Sequence, residues 1–227
     1  MIQRNTMREL PRPSTLRGGW REHHETILRR LAWPANGSPS PLEALGVTSC
    51  HAGEGVSTVA ARLAAAAASL GNQDILLVDA HFAEPTLHET FCMEPKAGLA
   101  EALLARVDLS ELVRPTSVEH LSLLGAGLLH AESCRAYDAA CLAETVEALK
   151  GRFGLVIFDL PPVARESAAV RLASLLDGVL LVVEAERVRW QVARRTKKLL
   201  TRAGAPVLGA VLNKRRQHIP SWLYRTL

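Results

Sequence analysis

The chain has 227 residues, 48% of them apolar and only 4% aromatic, which predicts a globular core packed largely with alanine and leucine and excludes a disordered polymer. The net charge is +4, unevenly placed: the stretch from Arg187 to the end holds 11 Lys and Arg and no Asp or Glu, leaving 16 basic and 23 acidic residues elsewhere, a net of −7. No apolar run reaches the roughly 18 residues that span a bilayer, and the opening MIQRNTMREL lacks the apolar stretch of a secretory signal.

Residues 1–20 mix Arg, Pro, Gly and Thr without periodicity and read as a flexible leader. Trp20–Trp33 has Ile27, Leu28 and Leu31 at helical spacing and reads as a short helix. Residues 34–41, PANGSPSP, read as a loop. Six strands are then expected, at Leu45–Cys50, Asp74–Ala80, His120–Leu124, Phe153–Leu160, Gly178–Val183 and Pro206–Leu212. Runs such as ILLV from Ile75 and VLLVV from Val179 imply burial on both faces, as in a parallel sheet covered by helices. Helices are expected between them at Ser57–Leu70, Leu99–Leu104, Tyr137–Lys150, Ser167–Leu176 and Arg187–Arg202. The alternation implies an α/β chain with three layers and a mostly parallel central sheet. Residues 21–227 read as a single such domain with a basic C-terminal tail.

The most informative stretch is LGVTSCHAGEGVSTVAARLAAAAASL, from Leu45 to Leu70. It reads as a buried strand, a glycine turn and a long helix. Such a turn wraps backbone N–H groups around a phosphate at a helix N-terminus. The pattern for that task is G-x-x-x-x-G-K-[ST]. Gly55 and Ser57 fit it, Thr58 follows, Cys50 stands in place of the first glycine, and Val56 in place of the lysine. Gly53, Glu54, Gly55, Val56, Ser57 and Thr58 are therefore the candidate phosphate-binding residues.

Two further strands should end at the same edge. Asp79 closes ILLVD and Asp159 closes LVIFD, where a nucleoside triphosphatase of this architecture holds Mg²⁺ or orients a nucleophile. With the Ser57 hydroxyl they form an oxygen set suited to Mg²⁺. The same aspartates also fit as strand-end or helix-capping carboxylates. Asn213, at the end of the last strand, fits either a nucleotide base or a turn. The four cysteines, Cys50, Cys92, Cys134 and Cys141, show no CxxC or zinc spacing, as in a reduced cytosolic protein.

Three motifs stand in this order: TSCHAGEGVST from Thr48, LLVDAHFAEPTLHETF from Leu76 and VIFDLPPV from Val156. Together they resemble the bacterial tyrosine autokinases, the partners of polysaccharide co-polymerases in capsule and exopolysaccharide systems. GLAEALLARVDLSELVRPT from Gly98, DGVLLVVEA from Asp177 and GAVLNK from Gly209 extend the resemblance over about Trp20 to Leu227. It implies a P-loop NTPase-like fold, ATP or ADP with Mg²⁺ as ligand, Asp79 and Asp159 as catalytic residues, and a base contact by Asn213. It also implies a cytoplasmic protein, peripheral at the inner membrane through the cytoplasmic segments of a Wzz-type co-polymerase, with self-association into a homo-oligomer.

The departures from that family cluster at the chemistry. Val56 replaces lysine, His81 replaces the second acid of VDAD, and Ala83 and Glu84 replace paired arginines. Ala168 stands where an aspartate is usual, and only Glu22 survives from the ExxRxxR self-association motif, the other two positions being Glu25 and Leu28. A tyrosine-rich tail is reduced to Tyr224, the candidate phosphorylation site, with Tyr137 the one other tyrosine. Arg165, Arg187 and Lys214 are candidates to replace the missing cation. The expectation is a degenerate kinase-like ATPase homologue that serves capsule, exopolysaccharide or holdfast assembly. An active autokinase with a rearranged site and a partitioning-type ATPase adaptor are the alternatives. The basic tail would meet a membrane surface, an acidic protein face or nucleic acid, with nucleic acid not favoured.

Overall fold

The computed structural model describes residues 20–32, 42–71, 73–129, 138–163 and 167–215. The expected leader, the 34–41 loop, Arg165, Tyr137, Tyr224 and the tail beyond residue 215 lie outside them.

Eight helices and seven strands are present among the described residues. Helix α1 (Arg21–Ala32) precedes β1 (Ala44–Ser49), α2 (Val56–Ser69) and β2 (Ile75–Asp79). Next come α3 (Leu87–Thr90), α4 (Leu99–Ala105), α5 (Leu109–Leu112), β3 (Arg114–Pro115) and β4 (Leu121–Leu124). The remainder is α6 (Ala139–Lys150), β5 (Leu155–Asp159), α7 (Ser167–Ala173), β6 (Gly178–Glu184), α8 (Trp190–Arg202) and β7 (Val207–Asn213).

The strands form one sheet in the order β3-β4-β2-β5-β1-β6-β7. Every pairing is parallel except β3 with β4. Strands β1, β2 and β5 are buried at every position, as the apolar runs of β2 and β5 require. One core cluster joins α1 and α2 to the sheet through Leu28, Leu63, Val47 and Ile157. The opposite cluster joins α4, α6, α7 and α8 through Leu103, Leu149, Leu172 and Leu200 to Val156 and Phe158. The result is the expected three layers. Alanines fill much of α2, with Ala60, Ala61 and Ala64 to Ala68 all buried. Small side chains at these positions let a helix pack closely against a sheet.

Three short elements were not expected. Asp108 caps α5 by accepting from the Ser110 N–H at 2.7 Å. Pro115 sits on the antiparallel edge strand β3, the one place in a sheet that tolerates proline. Helix α3 is a single turn organised by Asp79. Helix α8 begins at Trp190 rather than Arg187, because Glu186 takes a left-handed conformation (φ 64°) and starts a turn. Edge strand β7 is half-open: Leu208, Ala210 and Leu212 are exposed in alternation with partly buried neighbours.

Candidate functional site

Parallel strands β2, β5 and β1 deliver three chain segments to one edge of the sheet. Asp79 and Asp159 are register partners at the tips of β2 and β5. The turn after β1 runs from Cys50 to Gly55, and α2 follows it.

The turn has the backbone of an anion cradle. Gly53 and Gly55 are both left-handed, with φ 81° and 91°. Only glycine takes that conformation cheaply. A side chain at Gly55 would also meet the Asn213 amide, since a Cβ there falls 2.4 Å from Nδ2. Gly55 caps α2, and its carbonyl accepts the first helical bond from the Val59 N–H at 3.0 Å. The first N–H groups of a helix have no partner within it and carry the positive end of its dipole. Position 50 needs no glycine. Cys50 is fully buried, and its thiol bonds Thr196 of α8 while burial pushes its pKa up.

Glu54 is turned inward, with no exposed surface. Its Oε1 accepts from the His51 N–H at 2.7 Å and its Oε2 from the Glu184 N–H at 3.4 Å. Asn213 Nδ2 donates to the Glu54 carbonyl at 2.8 Å. Glu54 and Asn213 thus fasten the turn to β6 and β7. Burial raises the Glu54 carboxyl above its ordinary pKa.

Val56 is half-buried and packs against the core cluster beneath α1 and α2. The position that carries the lysine in the strict pattern therefore lies against the core. Two cations from elsewhere stand at the turn. Lys214 Nζ donates to the Gly53 carbonyl and lies 3.3 Å from Glu184 Oε2. Arg187 Nη1 donates to the same Glu184 oxygen at 2.9 Å. It is also 3.9 Å from where a Cβ on Gly53 would lie. Arg187, and with it Lys214, holds Glu184 below its ordinary pKa. Arg187 and Lys214 thus bring two positive charges to the turn, where the carboxylates of Glu184 and Glu54 also lie.

The two aspartates are equally buried and differently employed. Asp79 Oδ1 accepts from the His81 N–H at 3.1 Å. Its Oδ2 accepts from the Thr86 and Leu87 N–H groups at 3.2 and 3.1 Å. Asp79 thereby shapes the 80–87 turn and starts α3. Burial raises its pKa against those three bonds. Asp159 receives a hydrogen bond from Ser57. Its Oδ2 is buried with no partner. Burial pushes Asp159 well above the ordinary carboxylate range, and the neighbouring Asp79 charge adds to the push. Thr48 Oγ1 donates to the Pro161 carbonyl at 2.7 Å, which ties the segment after Asp159 to β1. Ala168 lines a small cavity with Ala80, Phe82, Leu160 and Leu172, so the site's flank is apolar there. Thr58 is half-buried in the first turn of α2.

Mg²⁺ fits part of this set. The unpartnered Asp159 oxygen and the Ser57 hydroxyl are hard oxygen donors beside the turn. Asp79 has committed both oxygens to backbone N–H groups and would act through solvent or the 80–87 turn.

The structure thus brings Gly53 to Thr58, Asp79, Asp159 and Asn213 to one sheet edge. Of the candidate replacement cations, Arg187 and Lys214 lie there. Glu184, which holds both, was not singled out from the sequence. Its place at the end of a strand that finishes beside the turn was the available signal.

Residues 42–200 match the family model described as cellulose biosynthesis protein BcsQ. The chain belongs to this family. A curated relative, tyrosine-protein kinase YwqD of Bacillus subtilis, is 27% identical over 215 residues, 95% of this chain and 88% of that one. The crystal structure of the chimerical protein CapA2B2 superposes with TM-score 0.78 at 26% identity, over 86% of this chain and 85% of that one. The septum site-determining protein MinD of Pyrococcus horikoshii, complexed with Mg-ADP, shares the fold with TM-score 0.67 at 22% identity, over 81% and 76%. The resemblance to the bacterial tyrosine autokinases and the P-loop NTPase-like fold are both borne out. The homologues are tyrosine-kinase-like proteins of capsule and exopolysaccharide biosynthesis. Among the described residues no helix is long and apolar enough to cross a membrane.

Proposed function

We propose that this protein is a degenerate member of the tyrosine-kinase-like group. It would serve exopolysaccharide assembly or export beside an inner-membrane co-polymerase. Its nucleotide site works as a sensor or scaffold rather than as a phosphotransfer centre. The observation that carries this reading is Val56. A backbone cradle survives around Gly53 and Gly55, while the position of the phosphate-gripping lysine holds a half-buried valine packed against the core. Phosphoryl transfer rests on electrostatic stabilisation of the moving charge. Removing the cation next to that charge costs rate before it costs binding.

The turn and the N-terminus of α2 would hold the phosphates of ATP or ADP. Ser57 and Asp159 would hold Mg²⁺, which supplies charge neutralisation between phosphate oxygens. Asp79 keeps the 80–87 turn in place beside them. Asn213 anchors the turn and edges the space for the base. The protein would sit in the cytoplasm against the membrane through its partner, as part of a homo-oligomer. Calorimetric titration with Mg-ATP and Mg-ADP, with Val56→Lys alongside, tests the site. Weak wild-type binding that strengthens in Val56→Lys supports it. A wild type that hydrolyses ATP at the rate of an ordinary kinase of this group sinks it. For the pathway, deletion of the protein should change polymer amount or length, and unchanged polymer would remove the assignment.

One observation favours an active autokinase instead. The unpartnered oxygen of Asp159, beside Ser57, keeps half of a metal site that a pure scaffold has no need of. Mg-ATP-dependent label on Tyr224, lost in Tyr224→Phe, is the signature of that alternative.

A further inference from the structure

Helix α8 buries one narrow face, at Thr196 and Leu200. At 100° per residue the opposite face is Arg194, Lys198 and Arg202 in one i, i+4 row, with Gln191 and Arg195 beside it. All five residues are exposed, as is Lys197 on the flank. The row extends about 12 Å along the helix. The first turn holds no acid, and none of these cations has an ion-pair partner among the described residues. Like charges at i, i+4 spacing repel one another and weaken a helix. An opposed anionic surface would lift that repulsion.

The surroundings say which surface. Trp190 is 64% exposed and Leu199 43%, one on each flank of the buried face. On β7, the strand that α8 leads into and packs against, Leu208 and Leu212 are 42% and 62% exposed. Arg194 lies over the Trp190 ring at 5.8 Å, which leaves an aromatic ring and a cation side by side at the surface. Nucleic acid would neutralise the cations but offers little to leucines at their rim. A bilayer interface accepts both, since lysine and arginine meet headgroup phosphates while tryptophan and leucine enter the boundary layer. The remaining body, at net −7, is repelled by the same surface and turns outward.

We infer that α8, with the exposed edge of β7, is a direct docking surface for an anionic phospholipid bilayer. This contact belongs to the protein itself and does not pass through a partner or through the nucleotide site.

The test is flotation of the full chain with vesicles of phosphatidylcholine alone, or with about one third phosphatidylglycerol. Binding should appear only with the anionic lipid and fade near 0.5 M salt, as the screening length falls to about 4 Å. The triple variant Arg194→Gln/Lys198→Gln/Arg202→Gln should lose about a hundred-fold in affinity. Trp190→Ser should weaken vesicle binding several-fold and leave any binding to duplex DNA unchanged. Circular dichroism melting confirms that each variant is folded, and Lys198→Glu alone serves if the triple variant is not. Equal binding to neutral and anionic vesicles would overturn the inference. So would a folded triple variant that binds as wild type does, or salt-sensitive binding to DNA without binding to vesicles.

Discussion

Lys214 reaches from the end of β7 and donates its ammonium to the carbonyl of Gly53, at the crest of the glycine turn. The bond holds a cation against the cradle that lacks one at position 56. Glu184 holds Lys214 from the other side and shares its oxygen with Arg187. An anion in the cradle would meet this pair at the rim. A charge-assisted bond is worth about 1.5–3 kcal/mol. Lys214→Gln is therefore expected to weaken Mg-ADP binding by roughly ten- to a hundred-fold. Isothermal titration of the two proteins at one ionic strength checks this, and equal affinities would show that Lys214 serves only the turn.

Val56→Lys asks the complementary question. Val56 is half-buried beside the core, so the new side chain must lay its stem on apolar neighbours and extend its ammonium outward. The expected stability cost is about 1 kcal/mol, as for a partial loss of packing. The expected gain is at least tenfold in Mg-ATP affinity, because the ammonium then stands at the helix N-terminus beside the phosphates. Melting temperature and titration together read both effects. A lower melting point with no gain would mean that the cradle does not take phosphate.

Much of this was legible in the sequence. Unbroken apolar runs placed β2, β5 and β6 within a residue or two, because strands buried on both faces leave no other pattern. The glycine turn was legible because backbone needs write themselves in residue type. What stayed hidden was the use of each carboxylate. Asp79 and Asp159 end identical-looking strands, yet one is spent on three backbone N–H groups and the other is left with an orphaned oxygen. That difference depends on how the chain turns after each strand. Glu184 was missed for the same reason, since its partners Arg187 and Lys214 come together only when β6 and β7 pair.

Asp159 makes a stability prediction with a definite sign. Its folded-state pKa is raised by burial and by the Asp79 charge. The folded protein then holds a proton that the unfolded chain releases near the ordinary value of 3.8. Stability falls as pH rises from that value toward the folded pKa, and is flat above it. Asp159→Asn should remove this slope. At neutral pH it should raise stability, because the neutral amide avoids the cost of ionising a buried carboxyl beside Asp79. Denaturant melts from mildly acidic to neutral pH check it. Saturating Mg-nucleotide should stabilise the wild type and have less effect on the variant, because the metal-facing oxygen is gone.

Asp79→Ala should act in the opposite sense at neutral pH. The wild-type carboxylate accepts from His81, Thr86 and Leu87, and those N–H groups lose their acceptor in the variant. Thr86 and His81 can turn to water, whereas Leu87 is fully buried at the start of α3. The loss is expected at about 2–4 kcal/mol, the sum of an orphaned N–H and a deleted cap. Hydrogen exchange should show faster exchange at residues 81–91 first, with β1 and β5 protected, because the damage is local to the turn that Asp79 organises. Asp79→Asn keeps one acceptor oxygen and should lose roughly half as much. Loss of exchange protection across the whole sheet in Asp79→Asn would instead mean that the carboxylate charge, and not its hydrogen bonding, supports the β2–β5 edge.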